Sequence, residues 1–370
     1  MKAAEPTQSR LSDLFNNRSN SLNLVRLFLA ISVLASHSFP LSGTPQDWGQ
    51  FQFVATLFSG GVMVDGFFAL SGFLVGRSAA VSRSFSSFAL NRIFRIFPGL
   101  FVCLLISGFL IAPIMSVIED VPLKWYQPLH YIAFNFLTWP GQAMIGGLLT
   151  NVPFTLWING SLWTLRWEVL AYISLWLLMR WRSQPNWFVV LLASFYGITD
   201  YLASSTQVFS SLPSEATELI VDGSRLGFMF LIGVAFYRFS NQIKVSPRIA
   251  LVCAALFVGC TMLPNYRTLG GVPLAYLLLC AGNLLLSPAW LQRNDLSYGV
   301  YIYAFPIQQL FVLANLNFGQ PWLLTLEAAI LTLAMAFLSW RFIEKPAMNR
   351  VKPFVSNWLS QHSSAVWKES

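Results

Sequence analysis

The segment LNLVRLFLAISVLASHSFPL, residues 22–41, decides the class of fold. It contains one arginine and one histidine and is otherwise mostly apolar. A helix needs about 20 such residues to cross the hydrocarbon layer of a bilayer. No small-residue cleavage signal follows the segment, so we interpret it as a retained transmembrane helix and not as a signal peptide.

Further segments of comparable length and apolar content follow along the chain. Backbone groups in a bilayer must be hydrogen-bonded within the protein, and the sequence lacks the alternating strands that are typical of a membrane barrel. We therefore predict an all-α polytopic membrane protein, a bundle of about ten transmembrane helices. The predicted spans are residues 22–41, 56–76, 97–116, 162–179, 187–203, 223–239, 249–265, 271–287, 297–315 and 322–342.

The composition excludes a soluble globular protein. Of the 370 residues, 55% are hydrophobic and 10% are charged, and the mean hydropathy is +0.58. A soluble domain has about a quarter of its residues charged. This chain has too few charges to cover a surface in water, whereas lipid solvates apolar side chains.

The net charge of +8 indicates membrane topology and not a nucleic-acid partner. The basic residues lie in alternate loops between apolar segments, and no basic helix or aromatic-basic platform is present. Because basic loops face the cytoplasm, this parity requires an even number of spans and two cytoplasmic termini. We divide the chain into a cytoplasmic segment, a transmembrane domain and a cytoplasmic tail, at residues 1–21, 22–346 and 347–370.

The region 117–161 does not fit a simple span. It contains four prolines, the glycine-rich stretch GQAMIGG and many aromatic residues. An additional span here would break the charge parity of the loops. We predict an external region with short re-entrant or interfacial helices, because tryptophan and tyrosine favour the membrane interface.

The four cysteines give no indication of a metal site. They lie inside apolar segments and have neither the spacing of zinc ligands nor that of a disulfide framework. We interpret them as small buried residues.

Ionisable residues inside the spans are candidates for function, because a charge in the bilayer is costly. Arg26 and His37 are the first two, and their separation of eleven residues places them on one helix face, roughly 16 Å apart along the axis. His37 is either catalytic or a polar residue at the helix end. Arg26 is either functional or extends to the inner interface. The candidates are Arg26, His37, Asp65, Arg166, Glu168, Arg225 and Glu327.

Two carboxylates lie in the second and fourth spans. Asp65 follows two glycines in a run whose small residues permit close helix packing. Glu168 lies in the outer half of its span, as His37 does, so its carboxylate could orient the imidazole. The alternative for Glu168 is a structural ion pair with Arg166 or Arg225.

Arg92 and Arg95 lie three residues apart, just before Pro98, which we expect to begin the third span. The spacing puts both guanidiniums on one helix face at the inner membrane surface. There they could bind phosphates, or they could serve only as cytoplasmic topology signals.

Six stretches complete the pattern, and their order is as informative as their residues. They are LVRLFLAISVLASH (24–37), GVMVDGFFALSGFL (61–74), RIFRIFP (92–98), LWTLRWE (162–168), SYGVYIYAFP (297–306) and EKP (344–346). Together they resemble the motifs of the acyltransferase-3 family of membrane-bound acyltransferases over nearly the whole chain. Three positions depart from that pattern: Asn23 stands where the family often has Asp, Thr164 replaces Ser, and Ala304 stands where many members have His.

The resemblance implies transfer of an acyl group, usually acetyl, from cytoplasmic acyl-CoA to a hydroxyl of an extracytoplasmic glycan. It implies catalytic roles for His37, Glu168 and Arg26. His37 would act as a general base or carry the acyl group transiently, with Glu168 orienting it. The donor, acetyl-CoA, is a substrate, and no permanently bound cofactor is expected. The expected donor-binding residues are Arg92, Arg95, Ser71 and Asp65.

The implied location is the bacterial inner membrane, where the partners are acyl-CoA, a surface or lipid-linked glycan and membrane lipids. The competing class is a multi-pass transporter or flippase for a glycan or a lipid-linked substrate, which also suits helices with buried charges. No inverted repeat or paired broken helix is visible in the sequence to favour it.

Overall fold

The structure is a computed structural model that describes residues 9–16, 20–45, 52–82, 84–138, 141–180, 185–206, 208–209 and 211–356. These residues form helices and no strand, which confirms the all-α prediction. Much of the two predicted cytoplasmic segments, residues 1–8, 17–19 and 357–370, lies outside the described residues.

The α-helices in chain order are α1 Asp13–Asn16, α2 Leu22–Leu41, α3 Gln52–Phe58, α4 Gly61–Val81, α5 Phe85–Ile106, α6 Ala112–Glu119, α7 Tyr126–Phe136, α8 Trp163–Arg180, α9 Asn186–Ser205, α10 Ser214–Arg238, α11 Pro247–Cys260, α12 Arg267–Leu284, α13 Ala289–Arg293, α14 Ser297–Leu313 and α15 Pro321–Ser339.

Each predicted span overlaps one of these helices. Among the described residues, six helical stretches are long and apolar enough to cross a membrane. The total of ten spans and the cytoplasmic location of both termini stay predictions, because the helices of the other four predicted spans are shorter or less apolar. The six stretches are Leu22–Leu41, Gly61–Val81, Phe85–Glu119, Asn186–Ser204, Ser214–Arg238 and Pro321–Ser356.

The start of the third span differs from the prediction. Helix α5 begins at Phe85, and Pro98 lies inside it. The side chain of Ser84 caps the helix by accepting a hydrogen bond from the backbone N–H of Ser87, at 3.2 Å. The cap starts the helix well before the proline. Arg92 and Arg95 therefore lie on a helix that continues through a π-helical turn, Ser107–Ile111, into α6.

The region predicted to be external contains one helix and a long loop. Helix α7 occupies Tyr126–Phe136, and the described residues 141–162 after it have no helix. We call residues 141–162 the acceptor-side loop, because all but the last belong to the region predicted to be external, 117–161, where the resemblance implies that the glycan lies. Asn159 anchors the loop by donating a hydrogen bond to the carbonyl oxygen of Ile302, at 2.8 Å.

The chain divides into two compact units. The first comprises residues 1–33, 46–80 and 167–295. In it, α4 and α10 cross with their backbones almost touching: a Cβ atom added to Gly72 would lie 1.9 Å from the carbonyl oxygen of Phe230. A Cβ atom on Gly233 would lie 2.0 Å from the carbonyl oxygen of Ala69. The predicted role of glycines in close helix packing is thus confirmed for Gly72.

The second unit comprises residues 34–45, 81–166 and 296–370. Helices α14 and α15 pack closely, since a Cβ atom on Gly299 would lie 2.8 Å from the Cα atom of Ala336. The phenol of Tyr298 links α14 to α5 by donating a hydrogen bond to the carbonyl oxygen of Ile96, at 2.8 Å. The end of α2, which carries His37, belongs to this unit.

Candidate active site

His37 lies near the end of α2 with its ring against α14. The imidazole meets the ring of Phe305 edge-on, with centroids 5.2 Å apart. Its Nδ1 atom is buried and has no hydrogen-bond partner among the described residues. An imidazole nitrogen in that state can take up a proton from a reacting group, which is the property that a general base needs.

A hydrogen-bonded network fixes the helix on both sides of His37. The Nε2 atom of Gln308 donates to the carbonyl oxygen of Leu34, at 2.8 Å, and to Oγ of Ser38, at 2.7 Å. Thr325 of α15 donates to the same hydroxyl, at 2.9 Å. Helices α14 and α15 therefore set the position of the turn that carries the imidazole. Gln308 and Thr325 were not among the residues that the sequence singled out.

Arg26 has a carboxylate partner that the sequence did not reveal. Its Nη1 atom forms an ion pair with Asp295. Asn23, one turn earlier, donates hydrogen bonds to the carbonyl oxygens of Leu291 and Gln292, at 3.0 and 3.1 Å. The carboxylate that Asn23 cannot supply thus comes from Asp295, which lies 269 residues away in sequence.

Arg95 is held in a buried polar cluster of the second unit. Its Nη1 atom lies 3.2 Å from Oε2 of Glu344, and its guanidinium lies 5.6 Å from the ring centroids of Tyr298 and Trp340. Ser339 donates to the other oxygen of Glu344, at 2.9 Å. Two motifs that are far apart in sequence, RIFRIFP and EKP, therefore meet through one ion pair. Arg92 lies one turn earlier on α5 and is half-buried.

Asp65 is completely buried in a charge cluster of the first unit. Its two oxygens accept from Nε of Arg225, at 2.8 Å, and from Nε of Arg267, at 2.5 Å. Tyr266 also donates to Asp65. These ion pairs give the buried carboxylate its counter-charges. The suggested Glu168–Arg225 pair is absent from the described contacts, in which Arg225 instead bonds Asp65 and Gly61.

Glu168 and Ser71 are joined by one phenol. Tyr172, one turn after Glu168 on α8, donates to Glu168, and its oxygen lies 3.5 Å from Oγ of Ser71. The described contacts of Glu168 belong to the first unit, and those of His37 belong to the second. Orientation of the imidazole by Glu168 stays a prediction, as do the donor-binding roles of Ser71 and Asp65.

The described residues contain no cluster of histidine, cysteine and carboxylate side chains that could hold a metal. The four cysteines are free thiols.

Comparison with known proteins decides the family. The sequence model of an acyltransferase domain, that of the acyltransferase-3 family, matches residues 19–343. The chain belongs to the acyltransferase-3 family. Family membership makes it an acyltransferase, and the apolar helices agree with a multi-pass membrane protein.

Two curated relatives of this acyltransferase extend over nearly its whole length. One is an O-acetyl transferase of Shigella phage Sf6, 29% identical over 348 residues that cover 92% of this chain and 99% of the relative. The other is nodulation protein 10 of Rhizobium leguminosarum bv. viciae, 28% identical over 374 aligned residues that cover 92% of this chain and 96% of the relative. No solved structure matches the chain at a significant level.

Proposed function

We propose that this acyltransferase is an O-acetyltransferase of the bacterial inner membrane. It moves an acetyl group from cytoplasmic acetyl-CoA to a hydroxyl of an extracytoplasmic glycan, such as an O-antigen or an exopolysaccharide. The observation that carries the proposal is the full-length similarity to a protein named O-acetyl transferase. The basic loops of the sequence support the proposed direction of transfer, because they predict that Arg92 and Arg95 lie on the cytoplasmic side, where acyl-CoA is found.

His37 is the proposed general base. The acceptor hydroxyl attacks the thioester carbonyl while Nδ1 of His37 takes the hydroxyl proton, and the carbon–sulfur bond then breaks. The proton passes to the departing CoA thiolate, so the enzyme returns to its starting state. The buried Nδ1 atom, without a partner among the described residues, supports this role.

Arg92 and Arg95 are the proposed ligands of the CoA phosphates. Guanidiniums bind phosphate oxygens through two parallel hydrogen bonds, and the two side chains lie one helical turn apart. Glu344 fixes the direction of the Arg95 guanidinium, and the aromatic rings of Tyr298 and Trp340 flank it. These contacts hold the Arg95 guanidinium in one orientation before CoA binds.

The proposal is tested on the glycan of living cells. Surface glycan is purified from cells that have the gene, from cells that lack it, and from deletion cells that express either the wild-type protein or His37→Ala. We expect an ester-linked acetyl group on the glycan only where the wild-type protein is present. Identical mass spectra of the glycan with and without the gene would contradict the proposed function.

A further inference from the structure

Two glutamines, Gln308 and Gln309, interrupt the apolar face of α14, and both are 0% exposed. An amide has a nitrogen that donates and an oxygen that accepts, and a buried amide is costly unless both are satisfied. In both residues only the nitrogen is satisfied by a described group. The two oxygens, Oε1 of Gln308 and Oε1 of Gln309, are buried without a partner among the described residues.

The identity of the amide atoms follows from their partners. The Nε2 atom of Gln309 lies 2.9 Å from the carbonyl oxygens of both Phe154 and Trp157. That of Gln308 bonds the carbonyl oxygen of Leu34 and the hydroxyl of Ser38. Carbonyl oxygens can only accept, so the nitrogen must face them in each case. The unsatisfied atoms are therefore oxygens, and the hydrogen-bond donors of a ligand would satisfy them.

Gln308 is bonded to the turn that carries His37, and Gln309 follows it on α14. Leu34 and Ser38, the partners of Gln308, flank His37 on α2. Phe305, one turn before both glutamines, contacts the imidazole ring and also lies 5.9 Å from the ring of Phe154. Phe305 thus contacts both the imidazole and the acceptor-side loop.

The acceptor-side loop is built against the same face of α14. Asn159 bonds the carbonyl oxygen of Ile302, Gly160 fits against the ring of Phe305, and Gln309 holds the carbonyls of Phe154 and Trp157. Leu156, between those two carbonyls, has a φ of +64°, a conformation that is costly for leucine. Strained backbone of this kind persists where surrounding contacts impose it, and it clusters at ligand sites.

Trp157, whose carbonyl oxygen accepts from Gln309, has a side chain that is 41% exposed and offers an aromatic face. An aromatic face beside amide hydrogen-bonding groups suits a molecule with apolar C–H faces and many hydroxyl groups, which is the chemistry of a sugar ring.

We propose that Gln308, Gln309 and Trp157 form the subsite that binds the acceptor sugar beside His37. The inference rests on the proposed function and names the residues that select its acceptor. The sugar ring packs on Trp157, and its hydroxyls donate to the two amide oxygens. Because the Gln309 amide is bonded to the backbone of Phe154 and Trp157, residues 154–157 move outward as the sugar enters. That movement frees the Gln309 amide nitrogen to donate to a second hydroxyl.

The test uses the purified full-length protein, labelled acetyl-CoA and a saccharide released from the surface glycan of gene-deletion cells. Gln309→Leu keeps the side-chain size but removes the amide. We expect it to lower kcat/KM for the saccharide by about tenfold, through KM, with unchanged affinity for CoA. The matched control is Gln320→Leu, at an exposed position of the same unit, which should leave the kinetics at wild-type values.

Trp157→Ala changes a partly exposed side chain, and it tests the sugar subsite if Gln309→Leu does not fold. Its kcat/KM for the saccharide should fall by a similar factor. Wild-type saccharide kinetics in folded Gln309→Leu, or in Trp157→Ala where Gln309→Leu fails, would overturn the subsite but not the enzyme. A wild-type protein that transfers no acetyl group to any saccharide would overturn the proposed function and the subsite together.

Discussion

At the scale of single residues, the buried pair of Arg95 and Glu344 tests what holds the proposed donor site together. Glu344→Ala leaves the guanidinium without its carboxylate, and breaking a buried pair costs about 3–5 kcal/mol of unfolding free energy. We expect this loss in denaturation of the purified protein in detergent.

The double variant Arg95→Met with Glu344→Leu provides the control for that prediction. It removes both charges of the pair, so it should be more stable than Glu344→Ala. A double variant that is less stable than either single variant would show that the pair stabilises the fold by more than charge compensation.

The carboxylates of Asp65 and Asp295 form a second comparison. Asp65 is 0% exposed and faces two guanidiniums, whereas the side chain of Asp295 is 10% exposed and pairs with that of Arg26. Asp65→Asn should therefore lower the unfolding free energy by roughly 3–5 kcal/mol, and Asp295→Asn by roughly 1–3 kcal/mol. Chemical denaturation of both variants measures the difference. Equal losses would mean that the second guanidinium contributes nothing.

The sequence predicts which positions within the spans are ionisable, but it does not predict which residues contact them. The ionisable positions within the spans, including His37, Asp65 and Arg26, could be found because charge is rare in apolar segments. Their partners could not. Asp295 lies in a short polar stretch between two helices, and Gln308 is neutral, so neither stands out until the fold brings it against α2.

At the scale of elements, the crossing of α4 and α10 depends on two glycines. A methyl group on Gly72 or Gly233 would overlap a backbone carbonyl that cannot move without displacing its helix. Gly72→Ala and Gly233→Ala should each destabilise the protein by about 1–3 kcal/mol or more, measured by denaturation in detergent.

The matched control for the crossing is Gly259→Ala. Gly259 lies in α11, and nothing is within 4 Å of an added Cβ atom. Alanine favours a helix over glycine by about 0.8–1.0 kcal/mol, so this variant should be at least as stable as the wild type. Wild-type stability in Gly72→Ala would show that α4 and α10 are not in close contact.

Helix boundaries were predicted less accurately than helix existence. The proline at position 98 indicated a helix start, but the cap at Ser84 begins α5 thirteen residues before it (98 minus 85). A serine in the polar stretch SRSFSS is one of several equal candidates for a cap, and only the hydrogen bond to Ser87 identifies it. The course of the acceptor-side loop could not be predicted, because contacts distant in sequence hold it.

At the scale of the whole molecule, the charge parity makes a prediction about topology. Cysteines introduced singly at Met144 and at Arg350, in a variant without native cysteines, should react differently with a membrane-impermeant maleimide. Met144 lies in the acceptor-side loop and should be labelled from outside, whereas Arg350 should be labelled only after the membrane is opened. Labelling of both positions in intact cells would contradict the predicted cytoplasmic location of the C-terminal end.

The proposed role of His37 as general base is tested by acetyl transfer with purified protein. Purified wild-type protein, His37→Ala and the control His130→Ala, whose histidine is exposed, are given labelled acetyl-CoA and the released saccharide. General-base catalysis contributes about 10²–10⁴-fold, so His37→Ala should lose at least about 100-fold in kcat, while His130→Ala keeps the wild-type rate. Transfer by folded His37→Ala at the wild-type rate would contradict the account.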